Sequence, residues 1–229
     1  MIASADFKFM VLSLSRIRIV LLAAALTLAA APAFPEPPKS RGEALAALAS
    51  GETTVRMEAI VWLANHGGMS DAPLLHERLR DESGAVREYA ERGLWALWSR
   101  SGDAAVDALM ARGVDEMQAG SHKAAIATFS EIVKRKPDFA EGWNKRATVY
   151  YLAGDYKRSI ADCDQVLKRN PGHFGALSGL GQIYFQLERY EDSLAWFRKA
   201  LDVNPNMLGV EFNIKGIEAL LKEKRGKQI

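Results

Sequence analysis

The sequence predicts an all-α protein, a right-handed α-solenoid of helix-turn-helix repeats. Three observations carry this. Prolines recur at Pro137, Pro171 and Pro205, 34 positions apart. The residues between them recur by size in the same register. A weaker self-similarity, at 31 positions, runs through residues 41–101. Fixed periods of this length are the mark of stacked supersecondary units.

The chain has 229 residues. Its first 33 read as an address rather than as fold. Residues 16–33 are RIRIVLLAAALTLAAAPA. Arg16 and Arg18 precede an apolar run over 19–31, broken by Thr27, and the segment ends in Ala31-Pro32-Ala33. This is the three-part layout of a secretory signal peptide. The run is shorter than the ~20 residues a membrane-spanning helix needs. Met10 is an alternative start, because residues 1–9 carry Asp6, which is unusual in the basic leader of a signal. An uncleaved anchor is the alternative reading. Residues 34–40, FPEPPKS, are proline-rich and read as an extended linker.

Residues 41–101 are expected to be helical. Val55-Arg56 recurs as Val86-Arg87, Ala59 as Ala90, Leu63 as Leu94 and Leu48 as Leu79. Gly67-Gly68 breaks the first two helices apart, and a polar turn separates the next two. The Val-Arg pair early in one helix and Leu74-Leu75 in the next resemble HEAT repeats, and an irregular helical cap is the alternative. Only SRSGD separates Trp98 from the following unit, so one continuous solenoid is expected.

Over residues 104–224 the positions recur by class. Small residues fall at Gly113, Ala147 and Gly181, and again at Ala125, Ser159 and Ser193. These let paired helices approach closely. Large residues fill the space between units at Leu109, Trp143 and Leu177, then at Glu116, Tyr150 and Tyr184. Phe129, Cys163 and Phe197 form a third such class. The prolines end each second helix, because proline lacks an N–H and restricts the residue before it. Gly120 and Gly154 fall at the turns inside the units, where the third unit has Glu188.

This pattern resembles the tetratricopeptide repeat family. GWNKRATVYYLAGDYKRSIADCDQVLKRNP and ALSGLGQIYFQLERYEDSLAWFRKALDVNP match it well, and the first unit departs at Glu116, where an aromatic is usual. The resemblance implies units near 106–139, 140–173 and 174–207, with a closing helix over 208–224 whose charged end covers the last apolar face. The stretches LWALWSRSGD and HFGALSGLG also resemble a group of small repeat proteins common in proteobacteria.

In that family the first helix of each unit lines a concave surface. The resemblance therefore implies a groove. It takes Asp107, Met110, Val114 and Met117 from the first unit, then Asn144, Lys145, Thr148, Tyr151 and Leu152 from the second. The third contributes Ser178, Gln182, Phe185 and Gln186, and the closing helix Phe212 and Asn213. The cytosolic co-chaperones of the family hold a terminal carboxylate with basic residues and asparagines. The matching positions here are Met110, Val114, Lys145, Gly175 and Gly179, so that clamp is absent.

Composition excludes several other functions. From residue 34 onward the chain has 27 basic and 27 acidic residues. A neutral, interspersed surface does not displace counterions from phosphates, so nucleic acid is not an expected partner. Cys163 is alone, which excludes an internal disulfide and a zinc quartet. It falls on a core position. Asp162 and Asp164 flank it but point to different helix faces. His66, His76, His122 and His173 read as ordinary turn or surface residues. Gly179 and Gly181 follow no strand, so a dinucleotide loop is excluded.

The expectation is a non-enzymatic adaptor or scaffold in the bacterial periplasm that binds another protein or peptide. No catalytic residue, metal or cofactor is expected, nor stable membrane insertion after signal cleavage. A cytoplasmic or inner-membrane-tethered scaffold is the alternative, and an enzyme with a site in the HEAT-like part a remote one.

Overall fold

A computed structural model describes residues 36–226, and side chains up to Lys224. The expected signal peptide, and Phe34 and Pro35 of the linker, lie outside the described residues. Within them the chain is all-helical. The helices are α1 (Arg41–Ala47), α2 (Thr53–His66), α3 (Ala72–Arg78), α4 (Gly84–Ser99), α5 (Ala104–Gln118), α6 (His122–Arg135), α7 (Ala140–Leu152), α8 (Tyr156–Arg169), α9 (Phe174–Gln186), α10 (Tyr190–Val203) and α11 (Leu208–Gly226). Helices α5–α11 form an α-solenoid of helix-turn-helix repeats, pairing as α5–α6, α7–α8 and α9–α10, with α11 closing on α10. The second helices begin at His122, Tyr156 and Tyr190, and α7, α9 and α11 begin at Ala140, Phe174 and Leu208. Both series keep the 34-residue step.

Reciprocal side-chain size explains how the pairs close. A Cβ added at Gly113 would lie 2.6 Å from the Phe129 ring, and one at Gly181 would lie 2.5 Å from Phe197. The middle pair inverts the sizes, with Ala147 packed in the same cluster as Cys163. The helix that lacks bulk thus receives a ring, and the helix that gains a methyl meets a smaller thiol. Two hydroxyls fix the spacing. Ser159 Oγ donates to the Ala147 carbonyl at 2.7 Å, and Ser193 Oγ to that of Gly181 at 2.6 Å.

The turns inside the units share one geometry. The N–H groups of Ser121, Asp155 and Arg189 donate to the carbonyls of Glu116, Tyr150 and Tyr184 at 2.8–2.9 Å. This closure needs a left-handed residue after the helix. Gly120 (φ 71°) and Gly154 (φ 75°) supply it freely, and Glu188 (φ 57°) supplies it against the preference of an L side chain. At Glu116 the missing aromatic is replaced by polar pairing. Its carboxylate accepts from Thr128 Oγ1 at 2.6 Å and from Arg112 Nε at 2.9 Å.

Helices α1–α4 make two hairpins. The starts of α1 and α3, and of α2 and α4, stand 31 positions apart. Arg56 is buried and anchors them, with Nε and Nη2 on the two oxygens of Asp81 at 3.0 and 2.8 Å and Nη1 on the carbonyls of Ser50 and Gly51. They join the repeats side-on, whereas the sequence led us to expect an extension from the first unit. Phe174, the first residue of α9, is buried in their core, and Val203 and Met207 pack against it. Asn204 Nδ2 donates to Glu91 at 3.0 Å and Asn206 Nδ2 to the Leu79 carbonyl at 2.8 Å. Arg80 donates to the carbonyls of Asp202 and Val203. The edge formed by the turns α8–α9 and α10–α11 is therefore covered by α3 and α4. The reason is the apolar face of α4. Leu94, Leu97 and Trp98 are buried among Ile60, Leu75 and Phe174, and Gly102 (φ 74°) makes the turn from α4 into α5.

Two glycines near each other in α9 should respond oppositely to alanine. Gly181→Ala must push the Phe197 ring aside and should destabilise the fold by roughly 1–3 kcal/mol. At Gly179 an added Cβ meets nothing within 4 Å, so Gly179→Ala should stabilise by about 0.5–1 kcal/mol through helix propensity. Denaturant unfolding of both variants measures the difference, and equal effects would contradict the packing described.

Candidate functional site

The concave side of α7, α9 and α11 contains two adjoining cavities. The larger, about 500 Å³, lies between α9 and α11. Phe197 and Ile217 form its buried floor, with Tyr151, Phe185 and Phe212 around it and Gln182, Gln186 and Asn213 at its rim. The smaller, about 140 Å³, lies between α7 and α9 and is lined in part by Asn144, Thr148, Ser178 and Gly179. Tyr151 and Gln182 border both. Among the described residues, no charged one lines either cavity. Phe185 is 42% exposed and Phe212 76%.

Nine residues expected in the groove line these cavities: Asn144, Thr148, Tyr151, Ser178, Gln182, Phe185, Gln186, Phe212 and Asn213. Six others in the expected set do not: Asp107, Met110, Val114, Met117, Lys145 and Leu152. Met110 and Met117 are half-buried against the cluster of Val106, Phe129 and Ile132, where they fill the first unit's interior. Lys145 Nζ is 3.1 Å from Glu141 Oε1. Asp107 likewise turns away and accepts hydrogen bonds from Ser101. The cavities therefore belong to the second and third units and the closing helix. Gly216, Ile217 and Leu220 also line the larger cavity. The 34-residue register places Gly216 opposite Gln182, and that register could have found it.

One edge of the groove is built on a buried polar cluster. The Glu141 side chain, at the start of α7, is fully buried. His173 Nε2 lies 3.1 Å from its Oε2, Asn144 Nδ2 donates to the same oxygen at 3.1 Å, and Lys145 pairs with Oε1. His173 Nδ1 accepts from the Ala176 N–H at 3.0 Å, capping α9. That nitrogen carries no proton, so the ring donates from Nε2, a tautomer assigned from the hydrogen-bond network. Trp98 stacks on the His173 ring with 4.4 Å between centroids and 23° between planes, and Trp95 meets it edge-on at 5.4 Å. His173 is thus a buried joint rather than the turn or surface residue expected. His66, by contrast, is exposed, with Nδ1 3.0 Å from the Trp62 carbonyl.

Burial raises the Glu141 carboxyl, but the His173 hydrogen bond and the Lys145 ammonium more than offset it and hold it below its ordinary value of 4.5. Burial, with Asp162 and Asp164 nearby, pushes the Cys163 thiol up to about 12, so it is not a thiolate near neutral pH. Asp162 is held by Arg146, with Nε–Oδ2 at 2.7 Å and Nη2–Oδ1 at 2.8 Å. Both groups serve packing.

Comparison with known proteins follows this geometry. A family model described as tetratricopeptide repeat matches residues 110–166 and 144–207. Among solved structures, the Sgt2 TPR domain from Aspergillus fumigatus is similar with a TM-score of 0.51 at 18% identity, covering 54% of this chain and 83% of that one. The first TPR domain of the human RPAP3 protein is similar with a TM-score of 0.50 at 20% identity, covering 53% and 95%. At these identities the likeness shows the fold. No curated protein matches the chain.

The depressed Glu141 value fixes a pH dependence. Near and below pH 4.5 the unfolded chain takes up a proton that the folded chain resists. The stabilisation is present above that range and is lost as pH falls through the folded-state value. Glu141→Gln should flatten the acid slope of unfolding free energy by up to about 1.4 kcal/mol per pH unit, the effect of one proton. Chemical denaturation across the acid range measures it, and equal slopes would contradict the buried ionised carboxylate.

Proposed function

Because residues 110–207 are tetratricopeptide repeats, we propose that this protein is a non-enzymatic adaptor that holds a protein or peptide in the concave groove of α7, α9 and α11. One observation carries the reading. Two adjoining uncharged cavities open where the first helices of the second and third units meet the closing helix. Aromatic side chains half-open to solvent, ringed by amides, are the composition of peptide contact surfaces.

The place of action in this reading is the bacterial periplasm. What supports it is residues 16–33, with their arginines, apolar run and Ala31-Pro32-Ala33 ending. No helix among the described residues is long and apolar enough to cross a membrane.

Two measurements test the proposal. Mass spectrometry of the mature protein should find a chain beginning at Phe34; one retaining residues 10–33 instead supports a cytoplasmic or membrane-tethered scaffold. Affinity purification with wild type and with Tyr151→Ala plus Phe185→Ala should recover partners with the first and lose them with the second. Recovery of the same partners by both baits would refute the groove assignment.

A further inference from the structure

We propose that the cavity between α9 and α11 takes an uncharged, internal stretch of polypeptide. The stretch inserts a large apolar side chain onto the floor of Phe197 and Ile217 and offers its main chain to Gln182, Gln186 and Asn213. This inference rests on the peptide-binding reading above and names the chemistry of its ligand.

Charge is the first argument. Among the described residues, no charged side chain lines either cavity. A charged side chain entering there would lose hydration and find no counter-charge. On α7, Lys145 is paired with the buried Glu141 and Arg146 with Asp162.

The rim is the second argument. Among the described residues, Gln182, Gln186 and Asn213 make no side-chain hydrogen bond. Each can donate and accept at once. Three free amides beside an apolar floor match a main chain, which presents N–H and C=O in alternation. An acyl chain would suit the floor and leave the amides unused.

One edge of the groove is closed. Trp95 lies over the start of α9, so that a Cβ added at Gly175 would meet its ring at 2.6 Å. Trp98 and Phe174 complete that wall. A chain terminus directed at this end therefore meets aromatic rings and finds no open space.

The test uses random peptides displayed between constant flexible arms, so that no free terminus is near. Enriched sequences are then synthesised with acetylated and amidated ends and titrated by fluorescence anisotropy. Gly216→Leu is the blocking variant. It lines the cavity, and an added Cβ there meets nothing within 4 Å, so the fold is retained while the space is filled. Enrichment of neutral sequences with a large apolar residue is expected. Affinity should fall at least tenfold in Gly216→Leu and change less than about twofold between low and high salt. Enriched sequences that are acidic, or that bind only with a free carboxylate, and still respond to Gly216→Leu, would overturn this inference and leave the groove reading standing. Peptides that bind Gly216→Leu and the Phe185→Ala plus Phe212→Ala variant unchanged would overturn the groove reading itself. Failure to enrich peptides, with palmitate binding wild type and not Gly216→Leu, would make the occupant an acyl chain and overturn both.

Discussion

Trp98 lies flat on the imidazole of His173, and much of the structure depends on that contact. The imidazole is held from three sides. Its Nδ1 caps α9, its Nε2 donates to the buried Glu141 at the start of α7, and its face carries the indole. Two repeat units and the N-terminal helices therefore meet at one ring. Stacking of this kind contributes about 0.5–1.5 kcal/mol beyond the area it buries. The polar half of the cluster is costly to break singly, because a buried carboxylate would lose a partner.

That joint also shapes the groove. Covering the α8–α9 and α10–α11 turns leaves α7, α9 and α11 open only on their remaining concave surface. Met110 and Met117 fill the first unit's own interior, whereas Phe185 and Phe212 are exposed beside the larger cavity. The closing helix thus contributes a wall of the cavity as well as shielding the last repeat. Gly216 is central to that role, because the absence of a side chain leaves room above Ile217.

The repeats were legible in the sequence because their constraints are local and periodic. A ring at Phe129 or Phe197 needs Gly113 or Gly181 sixteen residues earlier, and the inverted pair Ala147–Cys163 obeys the same rule. The turn glycines were legible for the same reason, as was their replacement at Glu188. The side-on docking of α1–α4 was not. An apolar face on α4 says that something covers it, and Phe174 and Met207 are too distant in sequence to be matched by period. His173 was misread because a histidine before a helix is an ordinary cap, and nothing local marks the glutamate 32 residues earlier as its partner. Lys145 was assigned to the groove from the resemblance and its place on the first helix of the second unit. The Glu141 that draws it aside is a residue whose burial no pattern announces.

The N-terminal helices and the repeats are one body, joined through Trp98 and His173. A double-mutant cycle on unfolding free energy, with Trp98→Ala, His173→Ala and the pair, measures that joint directly. The account predicts a coupling of about 0.5–1.5 kcal/mol between the two positions. Additive effects, with no coupling beyond error, would contradict it.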